Sequence, residues 1–330
     1  MFGPRELFTA VDDTFQRGAR QTLCNYLLGH PGMRKWIIAA DYCMGDPSRH
    51  SNAFVFTLHP YDDWFLNSES SITNALSRDL KAARAVPPGG LSLLRHPHRL
   101  HVCFVTAKDL RLFADSAVLA EVTNVRAYIA AWAYHFRERE RDPRDIAKVE
   151  ALLQKSKANR FNLSLFKALY LTHFFFAYVT LALCRDSSLE IIGWFSDRDS
   201  MTSWCDGVLW PLTGETLHGL AEEHAINTRT TRYSIGVPGV HASYKRMWYD
   251  HLTRIPDYIA GTLAAWDFQN NHLPGHHPKF VQMARDVMAD NANVIVFKLS
   301  IGSQGLGCSR IQILSKQPPE NNLMAGRTEF

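Results

Sequence analysis

Hydrophobic positions along the chain fall into two patterns, short continuous runs typical of buried strands and longer periodic stretches typical of amphipathic helices. Residues 5–28 place apolar side chains on one helical face, and the His-Pro-Gly sequence at 30–32 ends this predicted helix. Apolar runs follow at 36–42 and 52–59. The Gly-Asp-Pro-Ser sequence at 45–48 is typical of a turn, so the two runs are predicted to form a β-hairpin.

After this hairpin, the remaining pattern alternates between helices and strands. A hairpin followed by such alternation predicts a mixed α/β sheet flanked by helices. The predicted helices lie at 71–85, at 201–212 and from Pro256 onward, and the predicted strands lie at 101–106, 190–196, 293–299 and 309–314.

Residues 114–184 show helical periodicity almost throughout. The charged run at 137–145 interrupts it and is interpreted as a solvated turn between two helices. A chain of 330 residues can form one large domain or two smaller ones. We interpret residues 1–330 as a single domain, with 114–184 as a helical insertion within it.

The most apolar stretch, residues 163–184, has about the length needed to span a bilayer. Lys167 and His173 interrupt it, and ionisable side chains at mid-span are costly in a membrane. A buried core helix is therefore favoured over a membrane helix. A helix at 161–184 that binds a protein partner, or a second copy of this chain, remains open at this point.

Composition limits the class of protein. The chain is 46% hydrophobic and 21% charged, which is typical of a globular protein, and its net charge of +4 permits nucleic-acid binding without requiring it. The six cysteines show no Cys-x-x-Cys spacing, and the first fifteen residues contain no apolar signal segment. These features predict reduced thiols in a cytoplasmic protein.

Acidic residues follow two of the predicted strands. Asp41 ends the run at 36–40, while Asp197 and Asp199 follow the run at 191–195. Strand alternation groups Asp41 and Asp197 with the inward positions of their strands. If these strands are neighbours, both carboxylates lie at the sheet edge where ligands gather in α/β proteins.

A third carboxylate, Asp257, comes directly after Pro256, so it is predicted to lie in the first turn of a helix, where the helix dipole favours its ionised form. Gly261 would permit that helix to pack closely on the sheet. Together, Asp41, Asp197 and Asp257 could bind Mg²⁺ or Mn²⁺ and hydrolyse a phosphodiester bond. Two structural interpretations stay open: Asp257 as a dipole-stabilising residue, and Asp199 as a helix N-cap.

Two short segments carry a family resemblance. The sequences Ile-Ala-Ala-Asp-Tyr-Cys-Met-Gly at 38–45 and Ile-Pro-Asp-Tyr-Ile-Ala-Gly at 255–261 resemble the two ends of an uncharacterised bacterial family, domain-of-unknown-function family 3800. That family resembles the ribonuclease-H-like fold, opening on a strand that ends Asp-Glu-Ser-Gly and closing on a helix with an Asp. The resemblance implies catalytic roles for Asp41, for Asp197 or Asp199, and for Asp257 in a metal-dependent nuclease of RNA or DNA.

The chain departs from that family at one carboxylate. Tyr42 stands where the family has Glu, and Cys43-Met44 replaces its Ser. An alternative function is therefore a catalytically inactive ribonuclease-H-like scaffold, whose helical insertion binds a partner.

Basic and imidazole side chains are the other candidates for binding. His96, His98 and His101 cluster before one predicted strand, although their spacing does not match a known zinc signature. A second histidine group, His272, His276 and His277, follows the late helix and is interpreted as a polar loop. Arg95, Arg99 and Lys108 are candidates for phosphate contacts. The run at 228–233 mixes basic, hydroxyl and aromatic residues, and it is interpreted either as a phosphate-binding segment or as an edge strand protected by charge.

Overall fold

The computed structural model describes residues 4–113, 118–197, 199–228, 232–236, 247–274, 277–302 and 305–315. The helices are α1 (Pro4–Gly18), α2 (Arg20–Leu28), α3 (Asp63–Leu66), α4 (Glu69–Ala75), α5 (Pro88–Leu94), α6 (Val118–Glu138), α7 (Pro143–Ser156), α8 (Leu163–Asp186), α9 (Leu209–Glu223), α10 (Asp250–Ala265) and α11 (Pro278–Gln282). The strands are β1 (Lys35–Cys43), β2 (Ser51–Pro60), β3 (Leu100–Ala107), β4 (Ile191–Ser196), β5 (Arg232–Gly236), β6 (Val294–Gly302) and β7 (Gly305–Ile311). A 3-10 turn lies at Leu80–Ala82 and a π-helical turn at Met283–Met288.

The strands form a mixed sheet in the order β5-β4-β1-β2-β3-β6-β7. Strand β2 is antiparallel to both β1 and β3, and β6 is antiparallel to β7. The pairs β1–β4, β4–β5 and β3–β6 are parallel. The mixed α/β prediction is confirmed at this level, including the two hairpins.

Helices α8 and α9 cover one face of the sheet through aromatic contacts. The Phe175 ring of α8 stacks on Phe104 of β3, and Phe176 stacks on Trp194 of β4, with ring centroids 4.0 Å apart in each case. The Trp210 ring of α9 packs edge-on against Trp194 at 4.8 Å. Helices α1 and α6 also pack against α8, so with the sheet and α9 they bury its side chains from Leu169 to Leu183 all around the helix.

This position explains the apolar run that resembles a membrane span. Within the described ranges, α8 is the helix long and apolar enough to cross a membrane. However, 83% of its most apolar window is buried inside the structure, as in the core helix of a globular protein. Lys167, which interrupts the run, pairs with Glu121 of α6 at 2.8 Å.

Helix α10 covers the opposite face, mainly over β1 and β2. Its inward side chains include Leu252, Ile255 and Ile259, and they share a core with Ile37 and Val55 of those strands. The 3-10 turn packs on α10 at Gly261. A Cβ at that position would lie 2.5 Å from Leu80 Cδ2, so glycine permits this close approach. Gly261 was expected to allow close packing of its helix on the sheet, and the close contact is with the 3-10 turn instead.

Four predicted helix boundaries are wrong. The helix expected over 201–212 is a run of turns up to Val208, and the helix itself, α9, covers Leu209–Glu223. The helix expected over 5–28 is divided at Ala19, whose φ of −129° is not helical. The helix expected over 71–85 ends at Ala75, and the chain continues through the 3-10 turn. The helix expected to open at Pro256 begins at Asp250, so the proline lies inside it.

The prediction of helices over 114–184 is confirmed for the described part, 118–184, which contains α6, α7 and α8. The charged run at 137–145 forms the turn between α6 and α7, as expected. It is more than a solvated turn, because Arg139 and Arg141 both pair with Glu215 of α9, at 2.5 and 2.8 Å. These ion pairs tie the helical segment to the helix that covers α8.

Candidate active site

The pairing of β1 with β4 places two of the predicted carboxylates side by side. The parallel register aligns Ala40 with Ser196, and the N–H of Asp197 donates to the carbonyl of Ala40 at 3.2 Å. Asp41 and Asp197 are therefore neighbours at the carboxyl end of the two strands. This is the edge at which the strand alternation had placed them.

Asp257 faces the same edge from α10. Ile37 and Ala39 point into the core beneath α10, and side-chain alternation puts Asp41 on that same face. Asp41 and Asp257 therefore lie on one side of the sheet and not on opposite sides.

The electrostatics of the two carboxyl groups reflect the neighbouring acidic side chains. Burial raises the pKa of Asp41 well above its usual value, and the charges of Asp257, Asp197 and Asp199 raise it further. Burial also raises the pKa of Asp257 to about 6, with smaller contributions in the same direction from Asp79 and Asp197. The Leu80 N–H and the Lys279 ammonium oppose that rise in the pKa of Asp257.

The prediction that a helix dipole would favour ionised Asp257 is wrong. Because α10 begins at Asp250, Asp257 lies in its third turn, beyond the region where the dipole acts strongly. Its Oδ2 atom instead accepts a hydrogen bond of 2.6 Å from the N–H of Leu80. The carboxylate thus has a structural partner that the sequence did not indicate.

Neighbouring side chains hold the segment around Leu80 as well. Arg254 donates to the carbonyl of Leu76 and Tyr258 to that of Arg78, each at 2.8 Å. The Lys279 ammonium donates to the carbonyls of Leu80, at 2.6 Å, and Ala83, at 2.8 Å. Asp257 therefore contributes to a set of contacts that fixes residues 76–83 against α10.

Asp199 is not a helix N-cap, because residues 200–208 form turns and α9 begins only at Leu209, but its carboxylate does hold a turn. Its Oδ1 atom accepts hydrogen bonds from the N–H groups of Met201, at 2.9 Å, and Thr202, at 2.7 Å. These bonds stabilise the turn that leads from β4 toward α9. The Asp199 charge still contributes to the field at Asp41, but its carboxylate is oriented by the turn.

The carboxylates are not arranged as a metal site. In the part of the chain that the structure describes, no group of three or more Asp, Glu, His or Cys side chains is placed to hold a metal ion. Asp41, Asp197 and Asp257 are hard oxygen donors of the kind that Mg²⁺ and Mn²⁺ prefer. To share an ion, they would have to rotate toward one another.

Tyr42, the departure from the family pattern, points to the other face of the sheet. Its ring packs near Phe54 and Phe56, with centroids about 6 Å away, in the core beneath α8. Its hydroxyl is buried near Ser196 and Trp194, and burial raises its pKa well above the usual value. A carboxylate at this position of β1 would therefore not face Asp257.

An aromatic residue beside the carboxylates was missed by sequence reasoning. Trp248 is 57% exposed, and its ring packs edge-on against Phe195 at 4.8 Å. Phe195 belongs to β4, the strand that ends one residue before Asp197. An exposed tryptophan just before an amphipathic helix was the available signal.

The histidine cluster lies at the opposite end of the sheet and is structural in the described geometry. His98 pairs with Asp62 at 2.9 Å, and His101 lies 3.0 Å from both Thr57 Oγ1 and the Leu94 carbonyl. These contacts position β3 and the loop before it. Of the second histidine group, His276 lies outside the described residues.

The basic candidates divide between buried and exposed positions. Arg99 is fully buried, where it donates to the Leu93 carbonyl and stacks 4.7 Å from the Trp64 ring, so the phosphate contact proposed for it is wrong. Arg95 donates to the carbonyls of Asp286, Ala289 and Asp290. Lys108 remains exposed. In the run at 228–233, residues 229–231 lie outside the described residues. Strand β5, which begins at Arg232, lies at the edge of the sheet, in line with one of the two interpretations of this run.

Neither a family model, nor a curated protein, nor a solved structure matches this chain.

Proposed function

We propose that the edge formed by Asp41, Asp197 and Asp257 is the active site of a metal-dependent nuclease that hydrolyses phosphodiester bonds of RNA or DNA. The observation that carries the proposal is the environment of Asp41. This carboxyl group is shielded from water and surrounded by the charges of three other aspartates, which raises its pKa well above the usual value. A divalent cation would relieve this repulsion, and such unfavourable charge groupings cluster at functional sites.

The sheet supports the proposal at the level of fold. The five strands in the order β5-β4-β1-β2-β3, with β2 antiparallel to its neighbours and the other pairs parallel, match the arrangement expected of a ribonuclease-H-like sheet. Helices α8 and α9 on one face and α10 on the other fit that same architecture. In this proposal the described part of residues 114–184 belongs to one domain, with α8 covering the sheet and α6 and α7 as the inserted helices.

The side chains at the edge suit a phosphodiester substrate. A bound Mg²⁺ or Mn²⁺ would supply an activated water and stabilise the leaving oxygen. Asp41 and Asp197 would supply oxygen ligands from adjacent strand ends, and Asp257 would use Oδ1, because its Oδ2 accepts the Leu80 N–H. Trp248 offers an exposed ring on which an unpaired base could stack.

The location of the proposed enzyme follows from its cysteines. All six lie in described ranges, and none forms a disulfide. This fits a reducing compartment, so we propose a cytoplasmic protein.

The second candidate function is a ribonuclease-H-like scaffold without catalysis, which binds a protein partner through its helical insertion. It is favoured by the structural roles of Asp199 and Asp257, which bind backbone N–H groups, and by the absence of a metal-holding arrangement among the described residues. Any such interface would use α6 and α7, since the side chains of α8 are buried between the sheet and α9.

The deciding experiment measures the cleavage of labelled single-stranded RNA and DNA in the presence of about 5 mM Mg²⁺ or Mn²⁺, the hard cations that carboxylate oxygens bind. Asp41→Asn and Asp257→Asn should abolish cleavage while the circular dichroism spectrum is kept. Asp142→Asn is the matched control, because Asp142 caps the distant helix α7 and Asn caps equally well. Cleavage that persists in both active-site variants, or that is absent from the unmodified protein, contradicts the enzyme proposal and favours the scaffold.

A further inference from the structure

A cavity lies on the α8 side of the sheet, across β1 from the acidic edge. Its volume is about 450 Å³. Tyr42, which follows Asp41, and Asp199, which comes two residues after Asp197, form part of its wall. Asp41 and Tyr42 are adjacent in β1, so their side chains point to opposite faces. The cavity is therefore separate from the carboxylate cluster but lies at the same end of the sheet.

The lining combines an apolar surface with a polar edge. Phe54, Leu112 and Leu171 contribute apolar surface, while Asn162 and Ser164 contribute amide and hydroxyl groups. A volume in the range of about 300–1,000 Å³ is typical of sites for small organic ligands. Polar side chains, among them Asn52 and Thr106, line this cavity about as extensively as apolar ones. The size and lining suit a flat aromatic group with polar edges, such as a nucleobase.

The charges of the lining favour an anionic group at one end. The Lys167 ammonium pairs with Glu121 at 2.8 Å, and the Asp199 carboxylate accepts the N–H groups of Met201 and Thr202, so both charges are already partnered. Lys108 is exposed and donates to the Pro47 carbonyl at 3.1 Å. Its charge helps to lower the pKa of Asp46, but the two side chains form no ion pair in the described chain. An ammonium that donates to one carbonyl can still donate to a phosphate.

The N-terminus of α8 adds a second attraction for an anion. Asn162 caps this helix by accepting the N–H of Leu165 at 3.0 Å, and Asn162 and Ser164 both line the cavity. The first N–H groups of a helix lack partners within the helix, and its dipole favours negative charge. At 24 residues, α8 is long enough for this effect to be developed.

We propose that this cavity binds a nucleoside monophosphate, with the base against the apolar wall and the phosphate between Lys108 and the N-terminus of α8. The proposal rests on the cavity alone and goes beyond the nuclease proposal. If both are correct, the strand being cleaved crosses the end of β1 and places one nucleotide in this cavity.

The test measures binding of the four ribonucleoside 5′-monophosphates to the metal-free full-length protein by isothermal titration calorimetry, with adenosine and inorganic phosphate as separate ligands. At least one monophosphate should bind, and more tightly than either adenosine or phosphate. Lys108→Glu should weaken that binding at least tenfold. Ser164→Trp should weaken it similarly, because the exposed Ser164 lies in the cavity wall and indole would fill the space.

Lys35→Glu is the matched control, since Lys35 is an exposed lysine at the opposite end of β1 and should leave binding unchanged. The proposal is overturned if no monophosphate binds, if phosphate alone binds as tightly, or if both cavity variants bind like the unmodified protein. Binding is measured in EDTA, where the metal-dependent nuclease is inactive. Failure of the binding proposal can therefore be distinguished from failure of the nuclease proposal, which concerns Asp41 and Asp257.

Discussion

Asp257 and Leu80 join α10 to the 3-10 turn, because the Asp257 carboxylate accepts the backbone N–H of Leu80 at 2.6 Å. The contact lies at the acidic edge itself, so the same side chain serves the fold and the proposed chemistry. A substitution at position 257 therefore tests two roles, and the choice of replacement separates them.

We expect Asp257→Ala to destabilise the protein by about 1–3 kcal/mol, since it leaves the Leu80 N–H without its acceptor. Asp257→Asn keeps an oxygen acceptor and should retain the stability of the unmodified protein at pH 5. Urea unfolding at that pH measures both. Equal stability of the two variants would show that the Leu80 contact contributes nothing.

The raised pKa of Asp41 predicts a stability that depends on pH in an unusual direction. Because the folded-state pKa exceeds the unfolded value near 3.8, the folded state binds more protons, and the free energy of unfolding falls as pH rises through the folded-state pKa. Asp41→Asn removes this effect. It should stabilise the metal-free protein at pH 8, and the gain should shrink toward pH 4.

Asp46→Asn is the control for this measurement, because it should change the stability at pH 8 in the opposite direction. Hydrogen bonds from Ser48 hold the pKa of Asp46 below its usual value, so its contribution to stability is present above pH 4 and is lost as pH falls. Its replacement should lower stability at pH 8. If Asp41→Asn and Asp46→Asn shift the unfolding midpoint in the same direction at pH 8, the burial and repulsion inferred at Asp41 are wrong.

Glycine positions on two helices should respond oppositely to alanine. Gly261→Ala places a Cβ 2.5 Å from Leu80 Cδ2, so we expect a loss of about 1–3 kcal/mol from overpacking. Gly214→Ala in α9 meets no atom within 4 Å and should gain about 0.5–1 kcal/mol from helix propensity. Thermal unfolding of the two variants side by side gives the comparison, and a stabilised Gly261→Ala would disprove the close approach of the 3-10 turn.

Trp248 should contribute to nucleic-acid binding without being needed for metal binding. Trp248→Ala is expected to weaken binding of a single-stranded decanucleotide in EDTA by about 1–3 kcal/mol, the range for loss of one stacked base. Trp248→Phe should retain most of that affinity, because it keeps an aromatic face. Fluorescence anisotropy provides the measurement, and unchanged binding by the alanine variant would remove Trp248 from the proposed site.

Strand patterns carried most of what the sequence could predict about the site. Continuous apolar runs located β1 and β4, and the alternation of side chains grouped Asp41 with Ile37 and Ala39, which lie in the core beneath α10. These inferences hold because a two-residue period is fixed by strand geometry and needs no knowledge of neighbours.

Helix limits were less predictable, because tertiary packing outweighs local preference. Pro256 was expected to begin α10, yet Leu252 and Ile255 are buried with Ile259 on the sheet, and this packing continues the helix through the proline. The apolar spacing across Pro256 was the signal that could have corrected the prediction. Nothing local in the sequence indicated the hydrogen bond between Asp257 and Leu80, since those residues are 177 positions apart.

Helix α8 also sets an order of events during synthesis. A nascent chain that has reached Asp186 contains β1, β2 and β3, so Phe175 can already pack on Phe104. Trp194 and α9, which cover Phe176 and the outer side of α8, are not yet made. During that interval α8 has the length and hydropathy of a membrane segment, and the side that α9 will cover is still exposed. Chaperones or a bilayer can therefore compete with the folding chain for binding to α8. A chain truncated just after Asp186 would lack these partners, whereas one extended through Glu223 would contain Trp194 and all of α9.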